Sequence, residues 1–151
     1  MDTAKDRHKV FFTVGYQGHN VSSILRVLNK HNIGLIIDVR QNPVSRKAGF
    51  SGSQLQTELE RHGIKYAHYP CLGTPSHIRL EYRKNGSALT ALKAYATYLN
   101  TKSRCLESLI EFTSSKRFCL LCLESDPNIC HRGVIANKLA EMTQCRPVHL
   151  S

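Results

Sequence analysis

Tryptophan is absent from this chain, and phenylalanine and tyrosine alone make up an aromatic share of only 7%. Platforms for stacking the bases of a single strand are therefore not evident. Long apolar runs are missing too. Nothing approaches the roughly 20 residues of a membrane-spanning helix, and the polar opening from Met1 to Lys9 has no apolar signal core behind it, so a cytoplasmic protein without a membrane partner is expected. Internal repeats, low-complexity segments, linkers and an arginine-rich tail are absent as well. A chain of 151 residues without such divisions is expected to form a single domain over residues 1–151. That size buries roughly 70% of the surface the unfolded chain would expose. Acidic residues are scarce: 11 Asp and Glu against 21 Lys and Arg give a net charge of +10, before any of the eight histidines protonates. The excess favours an anionic partner, a phosphate-bearing ligand or nucleic acid, though it carries no base specificity and is also what a merely soluble basic surface shows.

What is present is an alternation of strand and helix signals. Residues 10–15 read as a first strand. Asn20 is placed to cap a helix whose apolar positions Val21, Ile24, Leu25 and Leu28 fall at i, i+3, i+4 and i+7. Residues 34–39 are a continuous β-branched run of the kind a buried parallel strand needs. Ser53 and Gln56 have capping-box spacing for a short helix closed by Gly63, and residues 64–69 give a third strand. Residues 70–87 carry breakers at Gly73, Pro75 and Gly86 around a charged centre of Arg79, Glu81, Arg83 and Lys84, so a loop and candidate lid are expected there. Leu89, Leu92, Ala96 and Leu99 make one helical stripe, and Leu106, Leu109 and Ile110 another. Residues 118–123 are a fourth strand, Val134, Ile135, Leu139 and Met142 have helical spacing, and residues 148–150 close the chain as a strand. The series predicts an α/β fold: a single three-layer domain with a mainly parallel sheet and helices on both faces.

Six cysteines show no framework spacing. Cys71, Cys105, Cys119 and Cys122 lie among apolar residues and are expected to be reduced core thiols. Cys119 and Cys122 imitate a redox or zinc pair, but residues three apart on a strand point to opposite faces. Cys130 and His131 are adjacent, which makes joint ligation awkward, and the other histidines follow no zinc spacing, so no metal is expected. Magnesium on Asp38 and Glu124 is the alternative that hard oxygen ligands would suit.

The polar residues gather where strands end. The fourth strand runs into Glu124, Asp126, Cys130, His131 and Arg132. The second delivers Asp38 and Arg40, then Ser45 and Arg46, and the first delivers Tyr16 and His19 into a glycine-containing turn. In open α/β sheets ligands settle outside the carboxyl ends of parallel strands, beside helix N-termini. The expected catalytic residues are Asp38, Glu124, Cys130 and His131; the expected ligand contacts are Tyr16, His19, Arg40, Ser45, Arg46 and Arg132. Arg132 sits near a helix N-terminus, where the dipole is unfavourable to it, so it is expected to hold an anion or to pair with Glu124, Asp126 or Asp38.

Taken together, residues 13–19, Ile37-Asp38-Val39-Arg40, residues 43–46, Phe50, residues 63–66, Leu72-Gly73, residues 121–124 and Cys130-His131-Arg132 resemble the family catalogued as domain of unknown function 488. The likeness runs over residues 13–149, with the Cys-His-Arg block its most specific element. It implies an α/β fold and a bacterial or archaeal setting, and supplies no activity or cofactor. The strand ending in Asp38-Val39-Arg40 also looks like one in rhodanese domains. Cys130-His131-Arg132-Gly133 matches the first half of their Cys-x-x-Gly-x-Arg loop, but Ile135 stands where the arginine would be.

Three functions follow. The first is an enzyme binding a phosphorylated substrate, nucleotide or nucleic acid, with Arg40, Arg46 and Arg132 on the anionic oxygens and Glu124, Asp38 or His131 moving protons. The second is a non-catalytic nucleic-acid-binding module. The third is a cysteine-dependent sulfur-transfer or redox protein acting through Cys130 or Cys122.

Overall fold

Strand parity decides how this chain packs. In the computed structural model, which describes residues 10–151, strands β1 (Val10–Gly15), β2 (Leu35–Asp38), β3 (Lys65–His68), β4 (Phe118–Cys122) and β5 (Arg146–Leu150) form one sheet in the order β3-β2-β4-β1-β5. The polar opening stretch, residues 1–9, lies outside the described residues. Every pairing is parallel. Phe12, Val14, Ile36, Cys119 and Leu121 point to one face, where helices α1 (Val21–Lys30) and α2 (Gly52–Arg61) bury Ile24, Leu28, Leu55 and Leu59. Phe11, Ile37, Leu120 and Cys122 point to the other, covered by α4 (Ala88–Leu99), α5 (Ser103–Thr113) and α6 (His131–Thr143). The α/β class and the parallel sheet are as expected, and Cys119 and Cys122 do lie on opposite faces. No helix among the described residues is long and apolar enough to cross a membrane.

Four local expectations are corrected. The stretch read as a loop holds a 3₁₀ turn (Pro70–Leu72) and a helix, α3 (Ser76–Asn85). Its breakers punctuate that helix: Pro75 precedes the first turn, where a missing N–H costs nothing, and Gly86 closes the last at φ 66 with its N–H on the Tyr82 carbonyl. Only Ile78 of α3 is buried, too few apolar positions for the 3.6-residue period to register. The α4 stripe is rotated from the aliphatic reading, since Leu89 is exposed and the inward residues are Tyr95 and Leu99. Tyr95 was passed over because its ring is amphipathic; its hydroxyl donates to the Leu72 carbonyl at 2.5 Å.

Ser53 and Gln56 form no capping box: α2 starts after Ser51, and Gln56 reaches Glu60 instead. The reciprocal box belongs to α1, where Asn20 accepts from the Ser23 N–H at 2.8 Å and the Ser23 hydroxyl accepts from the Asn20 N–H at 3.0 Å. Cys71 and Cys105, expected as reduced thiols, are joined in a disulfide across 34 positions that ties the 3₁₀ turn to α5. No spacing rule reveals a pair that only tertiary packing brings together.

The connections fix where a ligand can go. Neighbours β1 and β4 send the chain in opposite directions, β1 through α1 to β2 and β4 through α6 to β5, on opposite faces of the sheet. Their carboxyl ends therefore open into a crevice, the switch point at which α/β sheets bind ligands.

Candidate active site

The ladder continues past the strands to build the crevice floor. Tyr16 N–H donates to the Cys122 carbonyl at 3.0 Å, Gln17 N–H to the Leu123 carbonyl at 2.8 Å, and Val39 N–H to the Leu121 carbonyl at 3.1 Å. A side chain on Gly15 would run into the Glu124 carbonyl, and one on Gly73 into the Gln41 backbone, so both glycines permit a close approach of chain to chain. Above the floor is a cavity of about 250 Å³. Tyr16, Arg40, Cys122, Glu124 and His131 line it from the strand ends, while Ile78, Arg79 and Tyr82 of α3 and Leu92 and Tyr95 of α4 form the opposite wall. The segment expected to act as a lid thus already stands over the site as folded helix.

Asp38 and Arg40 are locked together rather than poised. Arg40 donates through Nε to Asp38 Oδ1 at 2.9 Å and through Nη2 to Oδ2 at 2.7 Å, the bidentate fork that suits a guanidinium and a carboxylate. Its Nη1 donates to the Phe50 carbonyl at 2.7 Å and to the Tyr16 hydroxyl at 3.3 Å. Tyr66 donates to Asp38 Oδ2 at 2.6 Å, and the Arg40 N–H to Oδ1 at 3.1 Å. Burial works against the Arg40 charge, but the hydrogen bonds and charge of Asp38, together with Tyr16, outweigh it and push the guanidinium pKa up. Burial and the Asp38 hydrogen bond push the Tyr66 phenol up. Asp38 is fully buried, does not line the cavity and has both oxygens engaged, so it offers no face to magnesium.

Two thiols, an imidazole and a carboxylate meet at the end of β4. His131 is the first residue of α6, and its Nε2 lies 2.9 Å from the Val39 carbonyl. A carbonyl accepts only, so that nitrogen carries the proton and Nδ1 is the unprotonated one; Cys122 Sγ lies 3.6 Å from Nδ1 and 3.8 Å from Nε2, and Cys130 Sγ 3.9 Å from Nδ1. The Tyr95 ring meets the imidazole edge-on at 5.2 Å. Glu124 Oε2 lies 3.8 Å from Cys122 Sγ. The hydrogen bond with Cys122, then burial, push the Cys130 thiol up. Burial works against the His131 charge, yet Cys130, the Val39 carbonyl and Glu124 together hold its pKa above the ordinary value. Chain adjacency does not separate Cys130 from His131. Cys130 is extended (φ −120, ψ 142) and His131 begins the helix, so the backbone changes direction between them and both side chains reach one point.

The other expected residues are dispersed. His19 Nδ1 pairs with the Ser23 hydroxyl at 2.9 Å in the first turn of α1, and burial followed by the Lys47 charge lowers its pKa. Ser45 accepts from the Tyr16 hydroxyl at 3.3 Å and from the Lys47 N–H, which ties down the loop after β2, and Arg46 is exposed beside it. Asp126 caps the 3₁₀ turn (Pro127–Ile129) by accepting from the Asn128 N–H. Arg132 is off the cavity wall and fully buried. It donates through Nη2 to the Ser125 carbonyl at 3.2 Å, and its Nε and Nη1 have no partner; among the described residues it pairs with no carboxylate. Cys130 is buried and, unlike Cys122, does not line the cavity.

The sequence reading carried Cys122 only as a core thiol and alternative nucleophile, and it missed Tyr95, Ile78 and Leu92 as cavity wall. The parity of β4 was the available signal: the last strand residue on the α6 face must open into the switch-point crevice. The chain belongs to the family described as domain of unknown function DUF488, whose model matches residues 20–139. No curated protein and no solved structure matches it.

Proposed function

We propose that this DUF488 protein is an enzyme in which Cys122 is the nucleophile and His131 its general base, acting on a small organic substrate with an apolar body and one anionic end. The observation that carries the reading is the contact between His131 Nε2 and the Val39 carbonyl at 2.9 Å, which fixes the proton on Nε2 and leaves Nδ1, 3.6 Å from Cys122 Sγ, as the basic nitrogen; Nε2 itself is 3.8 Å from that sulfur. A thiol needs a base in reach and a third group orienting that base. The N-terminus of α6, where His131 begins the helix, brings a positive dipole end to the same point. In the reaction the Sγ proton passes to Nδ1, sulfur bonds to the electrophilic atom of the substrate, and the bond to the leaving group breaks as that group takes the proton back. Water or a second acceptor then releases the group held on sulfur.

Cavity chemistry supports the substrate class. Ile78, Leu92 and Tyr95 give an apolar wall, and a cavity of about 250 Å³ suits a molecule of metabolite size. Arg40 is neutralised by Asp38, whereas Arg79, on the opposite wall, donates to the Gln41 side-chain oxygen at 2.9 Å, pairs with no carboxylate among the described residues, and is the cation proposed to hold a carboxylate or phosphate. A phosphate-bearing substrate is therefore compatible with this reading; a nucleic acid is supported by net charge alone.

Alkylation by iodoacetamide with peptide mapping tests it. Cys122 should be modified well ahead of Cys119, Cys130 and Cys145, and His131→Gln should slow its modification about tenfold or more. Labelling of Cys122 no faster than of half-buried Cys145 would end the proposal.

A further inference from the structure

We propose that Cys122, Cys130 and His131 form a binding site for one thiophilic divalent cation, Zn²⁺ above all, whose occupancy silences the Cys122 thiol. The site goes beyond the preceding reading, since it can exist whether or not Cys122 is a nucleophile. Its ligand atoms all lie within 4.8 Å of one another, and this is the metal-competent cluster among the described residues. A tetrahedral zinc with its usual bond lengths holds two sulfurs about 3.8 Å apart and a sulfur and a nitrogen about 3.6 Å apart. Cys122 Sγ and Cys130 Sγ lie 3.6 and 3.9 Å from Nδ1, and because Cys122 Sγ is also 3.8 Å from Nε2 it stands beside the ring, so a side-chain rotation of Cys122 brings it onto a cation held at Nδ1.

The surroundings are those of a metal ligand set. His131 offers Nδ1 because Nε2 is committed to the Val39 carbonyl, the outer hydrogen bond that fixes tautomer and ring orientation in metal-bound histidines. Cys130 is held in place at the end of a 3₁₀ turn capped by Asp126, with its own N–H on the Pro127 carbonyl. Two sulfurs and one imidazole select a borderline-soft cation over magnesium or calcium. The fourth position faces the cavity, where Glu124 Oε2, 3.8 Å from Cys122 Sγ, or a water completes the tetrahedron. On binding, the two thiols release their protons to solvent and each sulfur gives a lone pair to the metal. A Cys122 sulfur so committed cannot attack a substrate, so the cation and the thiol reaction exclude each other.

Titration of the reduced protein with Co²⁺, followed by Zn²⁺ competition against a chromophoric chelator, tests the site. The expected result is one equivalent per chain, visible bands of tetrahedral cobalt with sulfur-to-cobalt charge transfer, and loss of both when Zn²⁺ is added. Cys122→Ser and Cys130→Ser should each weaken binding about tenfold or more, while the Cys71→Ser/Cys105→Ser double variant should bind as the parent does. Because core variants can misfold, the unaltered protein supplies a second readout: Zn²⁺ should protect Cys122 and Cys130 together from alkylation, leave Cys145 unprotected, and lose its effect when a chelator is added. No thiolate charge transfer, or protection that does not distinguish Cys130 from Cys145, overturns the metal site. Cobalt thiolate bands in a protein whose metal-free Cys122 is unreactive would uphold the metal site and sink the nucleophile instead.

Discussion

Replacing Asp38 by asparagine should remove much of this protein's margin of stability without touching the chemistry proposed for Cys122. The carboxylate accepts from Arg40 Nε at 2.9 Å, Arg40 Nη2 at 2.7 Å, the Arg40 N–H at 3.1 Å and the Tyr66 hydroxyl at 2.6 Å, all in a place where Asp38 is 0% and Arg40 7% exposed. Asparagine keeps one acceptor oxygen but turns an NH₂ toward Arg40 Nη2 and Tyr66, and it leaves the guanidinium without a counter-charge. Removing one partner of a buried pair costs about 3 to 5 kcal/mol. For a chain of this length that is a fall in melting temperature of roughly 10 °C. Urea unfolding of Asp38→Asn, Arg40→Met and the Asp38→Leu/Arg40→Met double variant would measure it. Each single change should cost several kcal/mol, and the double change should cost less than the two singles summed, because it strands no charge. A loss below about 1 kcal/mol in Asp38→Asn would refute the reasoning, and if activity nevertheless collapsed Asp38 would be a proton-transfer group after all.

Arg132 is the reverse case, a buried guanidinium with two unpartnered nitrogens, so Arg132→Met should be neutral or stabilising by about 1 to 3 kcal/mol in urea unfolding, and a loss of similar size would mean that a counter-ion holds it. Burial and then the Arg132 charge lower the pKa of His149, whose Nδ1 lies 2.6 Å from the Thr13 hydroxyl. A histidine lowered on folding contributes stability that is complete above the unfolded value of about 6.5 and is lost as pH falls through the folded one, so the parent should weaken on acidification and Arg132→Met should weaken less. Cys71→Ser opens a loop of 34 positions and should cost at most about 4 kcal/mol by the chain-entropy account; peptide mapping without reductant should recover Cys71 linked to Cys105, and a free thiol at either would contradict the pairing.

Periodicity made the sheet legible and could not reach what packing alone decides. The strands were readable because Leu35-Ile36-Ile37 and residues 118–123 are unbroken apolar runs, and Asn20 announced α1 by its place before an i, i+3, i+4, i+7 stripe. Helix α3 was not, because it buries only Ile78 and its flanking Pro75 and Gly86 read equally as loop breakers. At the candidate site, the sequence placed Cys130, His131 and Glu124 together after the fourth strand, where the structure also gathers them. It assigned Asp38 and Arg40 to chemistry because a charged pair at a strand terminus looks alike whether it faces a ligand or itself. The disulfide and the convergence of Cys122 with Cys130 depend on tertiary neighbours, which no local pattern encodes.

The proposed site chemistry comes down to which face of β4 each residue takes. Leu121 and Cys122 are consecutive; Leu121 packs among Phe12, Val14 and Ile36, and Cys122 joins the opposite cluster and reaches the cavity. A slip of one residue would send the thiol into the α1 layer and leucine into the crevice. Exchanging the two side chains, Leu121→Cys with Cys122→Leu, reproduces that slip without altering composition. Each position then holds a residue of the wrong size, which costs roughly 1 to 3 kcal/mol on the overpacked side and about as much for the shortened one, leaving a destabilised but foldable chain. Such a variant should retain the far-ultraviolet spectrum of the parent, lose rapid alkylation at β4, and give no cobalt thiolate pair with Cys130. If the exchanged protein stayed folded and its relocated cysteine still reacted as fast as Cys122 does, the reactivity would come from the strand end alone, and the argument from His131 Nδ1 would fail.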